Sequence, residues 1–206
     1  MMEEYNINQT TLKILGLYRS DYRRSLHLRQ IARETKVDVK AVQLQLKRLE
    51  RMNILSSVRK GRNKEYSVNL QNSIAKYYLM LAETFASITY LAGNFLVKKI
   101  ASEIGDSLEG TTILFGSFAK GGSNKESDVD LFVVNEKKLG ALPKNIVRDV
   151  GDRVGREISV KHGTKRQFLK GLEEGDPLVR EVVSSHVLLR GVDDFCNLMW
   201  RYHARQ

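Results

Sequence analysis

Within "LFGSFAKGGSNKESDVDLFVV", residues 114–134, Asp128 and Asp130 stand one residue apart in an otherwise apolar run. A strand alternates its faces with period two, so both carboxylates leave the same side of one strand. Their mutual repulsion is tolerable at a solvated edge or around a cation and costly in a packed interior. Hard carboxylate oxygens on one face suit Mg²⁺, or Mn²⁺, held jointly with phosphate oxygens. Upstream, Gly116 and Ser117 are separated from Asp128 by ten residues. A glycine there lets backbone N–H groups approach a phosphate closely, and the serine adds a hydroxyl donor. Phosphate plus metal is the chemistry of in-line nucleotidyl transfer, in which ions activate an attacking hydroxyl and stabilise the departing pyrophosphate.

Two short strands must position these groups. Thr112 to Phe115 reads as a buried strand broken by Gly116 and Ser117, and a glycine-containing polar segment leads to a second strand, Val129 to Val134. Further on, "EISVKHG" places Glu157 and Ser159 on one face of an extended segment and Ile158 and Val160 on the other.

The basic charge is concentrated elsewhere. The chain has 206 residues and a formal net charge of +10, and its first 70 residues hold 15 Lys and Arg against 7 Asp and Glu. Such an excess suggests a polyanionic partner. In that region the pattern predicts a helix from Asn8 to about Asp21, a short helix from Leu28 to Thr35, a turn at Lys36 to Asp38 and a longer helix from Val39 to Met52. "LSSVRKGRNKEYSVNL" then reads as a hairpin around "KGRNK". From Ser73 to about Ile104, apolar residues recur at three- and four-residue steps. They predict one long helix or two collinear ones, kinked at Gly93, that packs on both flanking regions or pairs with its copy in a homodimer.

Residues 8–70 resemble a winged helix-turn-helix domain of transcription regulators, on the element order and on "LKRLERMNIL" and "RKGRNKEYSV". The resemblance implies double-stranded DNA as partner. Lys40, Gln43, Gln45, Lys47 and Arg48 would line the recognition helix, and Arg59, Lys60, Arg62 and Lys64 the wing.

Residues 110–192 resemble the small, minimal branch of the DNA polymerase beta nucleotidyltransferase superfamily, on Gly-Ser, ten residues, then Asp-apolar-Asp-apolar. "EISVKHG" sits where that family has its third core strand, and "GDPLVREVVSSHVLLRG" resembles its closing helix and strand. The resemblance implies that Gly116, Ser117 and Lys120 hold nucleotide phosphates and that Asp128 and Asp130 hold metal ions. Active relatives place a third acid on the next strand. Here either Glu157 reaches in as the third catalytic carboxylate, or Ser159 occupies the place and the base is missing.

The expected fold is therefore α+β: a winged helix-turn-helix over 1–70, a connecting helical region over 71–109, and a nucleotidyltransferase-like mixed sheet with flanking helices over 110–206. The expected function is Mg²⁺-dependent transfer of NMP from an NTP to a hydroxyl acceptor, which includes a protein acceptor, beside DNA binding. The alternative is a DNA-binding transcriptional regulator whose second domain binds nucleotide without catalysis. The single Cys196 excludes an intramolecular disulfide framework and reads as a small core residue. With no secretory pattern and no membrane-spanning run, the expected location is cytoplasmic.

Overall fold

The computed structural model describes residues 7–61, 63–104, 107–136 and 144–205. It divides into two compact units, Met1–Phe85 with Met199–Gln206, and Ala86–Leu198. Among the described residues no single helix is long and apolar enough to cross a membrane.

In the first unit, α1 (Gln9–Gly16) starts at Asn8, whose side chain accepts from the Thr11 backbone N–H, and ends earlier than the predicted Asp21. A short strand β1 (Leu26–His27) precedes α2 (Leu28–Thr35), which Lys36 closes in the left-handed conformation at φ 54°. Helix α3 (Val39–Arg51) begins at Asp38, whose carboxylate accepts from two first-turn amides. The hairpin β2 (Leu55–Lys60) and β3 (Asn63–Val68) completes an antiparallel sheet of order β1-β3-β2. Ile14, Leu15, Ile31, Val42, Leu46 and Leu49 bury the inner helix faces. In the turn after α1 the buried Tyr18 donates its hydroxyl to the Tyr66 carbonyl at 2.9 Å, tying that turn to the sheet.

Helix α4 (Ser73–Gly93) and helix α5 (Phe95–Ile104) replace the single or collinear helix expected over 73–104, since they meet at a bend of 114°. The break falls at Gly93, and Asn94 restarts the chain by accepting from the Val97 N–H through its side chain at 3.4 Å. The boundary between the two units, at Phe85, falls within the 71–109 stretch expected to connect them.

The second unit is built on β4 (Thr111–Phe115), a short helix α6 (Gly116–Lys120), β5 (Val129–Asn135), α7 (Lys144–Val154), β6 (Ile158–Thr164), α8 (Lys165–Glu174), α9 (Pro177–Ser184), β7 (Val187–Arg190) and α10 (Val192–Arg205), whose last turns belong to the first unit. The sheet order is β6-β5-β4-β7, with β5 and β6 parallel and the other pairs antiparallel. Val129, Leu131, Val133 and Leu114 pack from one sheet face against Val97, Ile100 and Ile104 of α5 and Val150 of α7. On the other face Phe132 meets Phe168 of α8 at 5.9 Å between centroids. Asp130 shares that second face with Phe132.

Candidate functional site

The Gly-Ser segment does more than break the strand: Gly116 and Ser117 open α6, and Gly121 closes it at φ 71°. Gly116 is itself at φ 71°, and a Cβ built on it would lie 2.5 Å from Asp130 Oδ2. The carboxylate rests directly over the glycine backbone, so no other residue fits there without moving it. Strand register explains the contact, because Phe115, the residue before Gly116, pairs with Asp130 across β4 and β5. Asp128 is exposed just before β5, and Asp130 is half-buried.

Burial pushes the Asp130 carboxyl upward; the Lys161 ammonium opposes that most strongly, Asp128 and Glu181 add to it, and Lys120 opposes it. Lys120 Nζ lies 2.7 Å from Glu181 Oε1, across from α6 to α9. The structure therefore gathers Gly116, Asp128, Asp130, Lys120, Lys161 and Glu181 at the start of β5. Lys161 and Glu181 were assigned no role from sequence. Their placement depends on strand order and on α9 folding back, neither of which leaves a local pattern.

The parallel register of β5 and β6 sets Ser159 level with Asp130. Continued one step back, it sets Glu157 level with Asp128, where the Glu157 carbonyl accepts from the Val129 N–H at 2.9 Å. Glu157 is exposed and also lines a cavity of about 680 Å³ with Val147, Arg148, Asp152 and Arg156 between α7 and β6. Two carboxylates on one strand face fit one hard cation shared with phosphate. A second ion would need a third acid, and among the described residues no group of three or more His, Cys, Asp or Glu is placed to hold a metal.

In the first unit Lys40, Gln43 and Lys47 are exposed on α3, together with Leu44 at 63% and Val39 at 43%, which charge-based reading passed over. Gln45, expected on that side, is buried instead: α3 turns it inward, and its Oε1 accepts from Thr11 Oγ1 at 3.1 Å. Arg48 is half-buried. Arg59, Lys60 and Lys64 are exposed on the hairpin, and Arg62 lies outside the described residues. Lys60 pairs with Glu65 at 2.9 Å and Lys64 with Glu50 at 2.7 Å. Such exposed pairs hold weakly, so both ammoniums are available to a stronger anion.

Residues 110–194 match the family model described as Polymerase beta, Nucleotidyltransferase, which gives this stretch a nucleotidyltransferase-type fold. No curated protein matches the chain. Among solved structures, a toxin-antitoxin with AMP-PNP is similar at a TM-score of 0.38 and 16% identity, over 50% of this chain and 80% of that chain.

Proposed function

We propose that the second unit binds a nucleoside triphosphate and, with Mg²⁺ or Mn²⁺, transfers its nucleoside monophosphate to a hydroxyl acceptor, while the first unit is a winged helix-turn-helix that binds duplex DNA. The observation that supports the reading is the seating of Asp130 on the Gly116 backbone, which joins the Gly-Ser turn to one of the paired aspartates. Asp128 and Asp130 would hold the ion, which when bound offsets the charge of the triphosphate. Ser117 and the backbone beside it would take phosphate oxygens, and Lys120 would exchange Glu181 for a phosphate. As the acceptor oxygen bonds to the α-phosphorus, the bond to the β-phosphate bridge breaks and pyrophosphate leaves. Glu157, whose backbone stands level with Asp128, would take the acceptor's proton in this reading.

Incubation with α-labelled NTPs, Mg²⁺ and nucleic-acid or protein hydroxyl acceptors is expected to give labelling that Asp128→Ala abolishes. Labelling unchanged by that substitution would remove the role given to the pair.

A second reading is favoured by Ser159 standing level with Asp130 where active relatives carry an acid. In it the second unit binds nucleotide without transfer, and the chain is a DNA-binding transcriptional regulator. Nucleotide binding with no labelling of any acceptor would select it. The DNA-binding half, common to both readings, is supported by the exposed Lys40, Gln43 and Lys47 on α3 and by Arg59, Lys60 and Lys64 on the hairpin that follows.

A further inference from the structure

We propose that Lys161 is a phosphate-binding residue of this site, a tethered cation that β6 extends over the paired aspartates and that lets the triphosphate bind with reduced dependence on metal. The proposal rests on the nucleotide-binding reading above and deepens it.

Topology carries the argument. Lys161 lies on β6, level with Phe132 and on the same face as Asp130. Its Nζ sits 5.6 Å from the centroid of the Phe115 ring. Phe115 belongs to β4, and β5 lies between β6 and β4 in the sheet. Neighbouring strands are about 4.8 Å apart, so a side chain rooted on β6 that reaches a β4 ring must cross β5. It crosses β5 between Phe132, which pairs with Lys161, and Asp130, which pairs with Phe115, and so carries the ammonium alongside the residue whose carboxylate rests on Gly116. The aromatic face holds the ammonium there without neutralising it.

The arrangement also makes sense of Ser159. A third carboxylate at that level would call for a second metal ion to offset three acids and a triphosphate. A serine there, with a lysine two residues on along the same face, supplies positive charge covalently instead. Lys120 must exchange Glu181, 2.7 Å away, to meet a phosphate, whereas Lys161 is already held beside the site by the Phe115 ring.

The test measures binding of inorganic tripolyphosphate and of ATP to the full chain by calorimetry, in EDTA and in Mg²⁺. In EDTA, Lys161→Met is expected to weaken tripolyphosphate binding by about tenfold or more, as for loss of a charge-assisted contact. Lys161→Arg should retain most of it. Lys98→Met, an equal change of charge on α5 against the opposite sheet face, should leave it unchanged. Equal affinity of wild type and Lys161→Met in EDTA overturns the proposal while leaving the nucleotide site standing. Wild type binding neither ligand under either condition overturns both together.

Discussion

Gly116 shows how much of the site rests on one missing Cβ. An alanine there incurs the strain of a positive φ, about 1–3 kcal/mol, and also drives its methyl into the Asp130 carboxylate. Gly121 shares the φ of +71° but has open space around its Cβ, and Gly122 has open space with no such φ. Three alanine variants therefore separate backbone strain from displacement of the carboxylate. Gly122→Ala is expected to be near neutral, and Gly121→Ala to lower Tm while keeping Mg²⁺–NTP affinity. Gly116→Ala should lower Tm and lose that affinity by tenfold or more, on the order of one charge-assisted contact. Equal affinity of the two strained variants would mean that the contact with Asp130 has no part in binding. At this scale the aspartates and the Gly-Ser pair were legible, because period two and short spacing are local properties of the chain. Lys161 and Glu181 were not, because what brings them to Asp130 is sheet order and the return of α9.

At the scale of elements, the helix periods located α2 and α3 closely and the turn signal in "KGRNK" located the β2–β3 hairpin, while Gln45 shows where a polar residue was misread. Its amide is buried because Thr11 supplies a partner, a pairing between helices that no window along one helix reveals. The break falls at Gly93, where the sequence marks a kink, but its 114° angle was not legible: a glycine marks a weak point, and packing decides the angle. The end of α10 carries a group that sequence gave no reason to single out. His203 is buried beside Tyr22, their rings 5.0 Å apart, and its Nε2 accepts from the Tyr22 N–H at 3.5 Å. Burial pushes its pKa down to about 4, from 6.5. A depressed pKa means that the folded chain prefers the neutral ring. The associated stability is complete above about pH 6.5 and is lost as pH falls through about 4, amounting to no more than about 3 kcal/mol. Thermal melts are expected to show Tm falling across that window, with a flatter acid limb in His203→Phe. An identical acid limb in the variant would place the loss elsewhere.

For the whole molecule, composition carried one message that survives as a proposal: the basic excess of the first 70 residues and its display on α3 and the hairpin. If these residues meet phosphates, log affinity for duplex DNA falls linearly with log salt. Lys47→Ala or Arg59→Ala should each reduce the slope by about one. Absence of any duplex binding at low salt would remove DNA as a partner. The division at Phe85 and again at Met199 was hidden in sequence, because both boundaries fall inside continuous helices where composition does not change. In the proposed function the paired aspartates serve transfer of a nucleoside monophosphate. The most direct measurement supplies the same NTP labelled at the α-phosphate in one reaction and at the γ-phosphate in another, with Mg²⁺ and the acceptor. The expected result is α-label on the acceptor and γ-label released as pyrophosphate; γ-label on the acceptor, or α-label equally incorporated by Asp128→Ala, would contradict it.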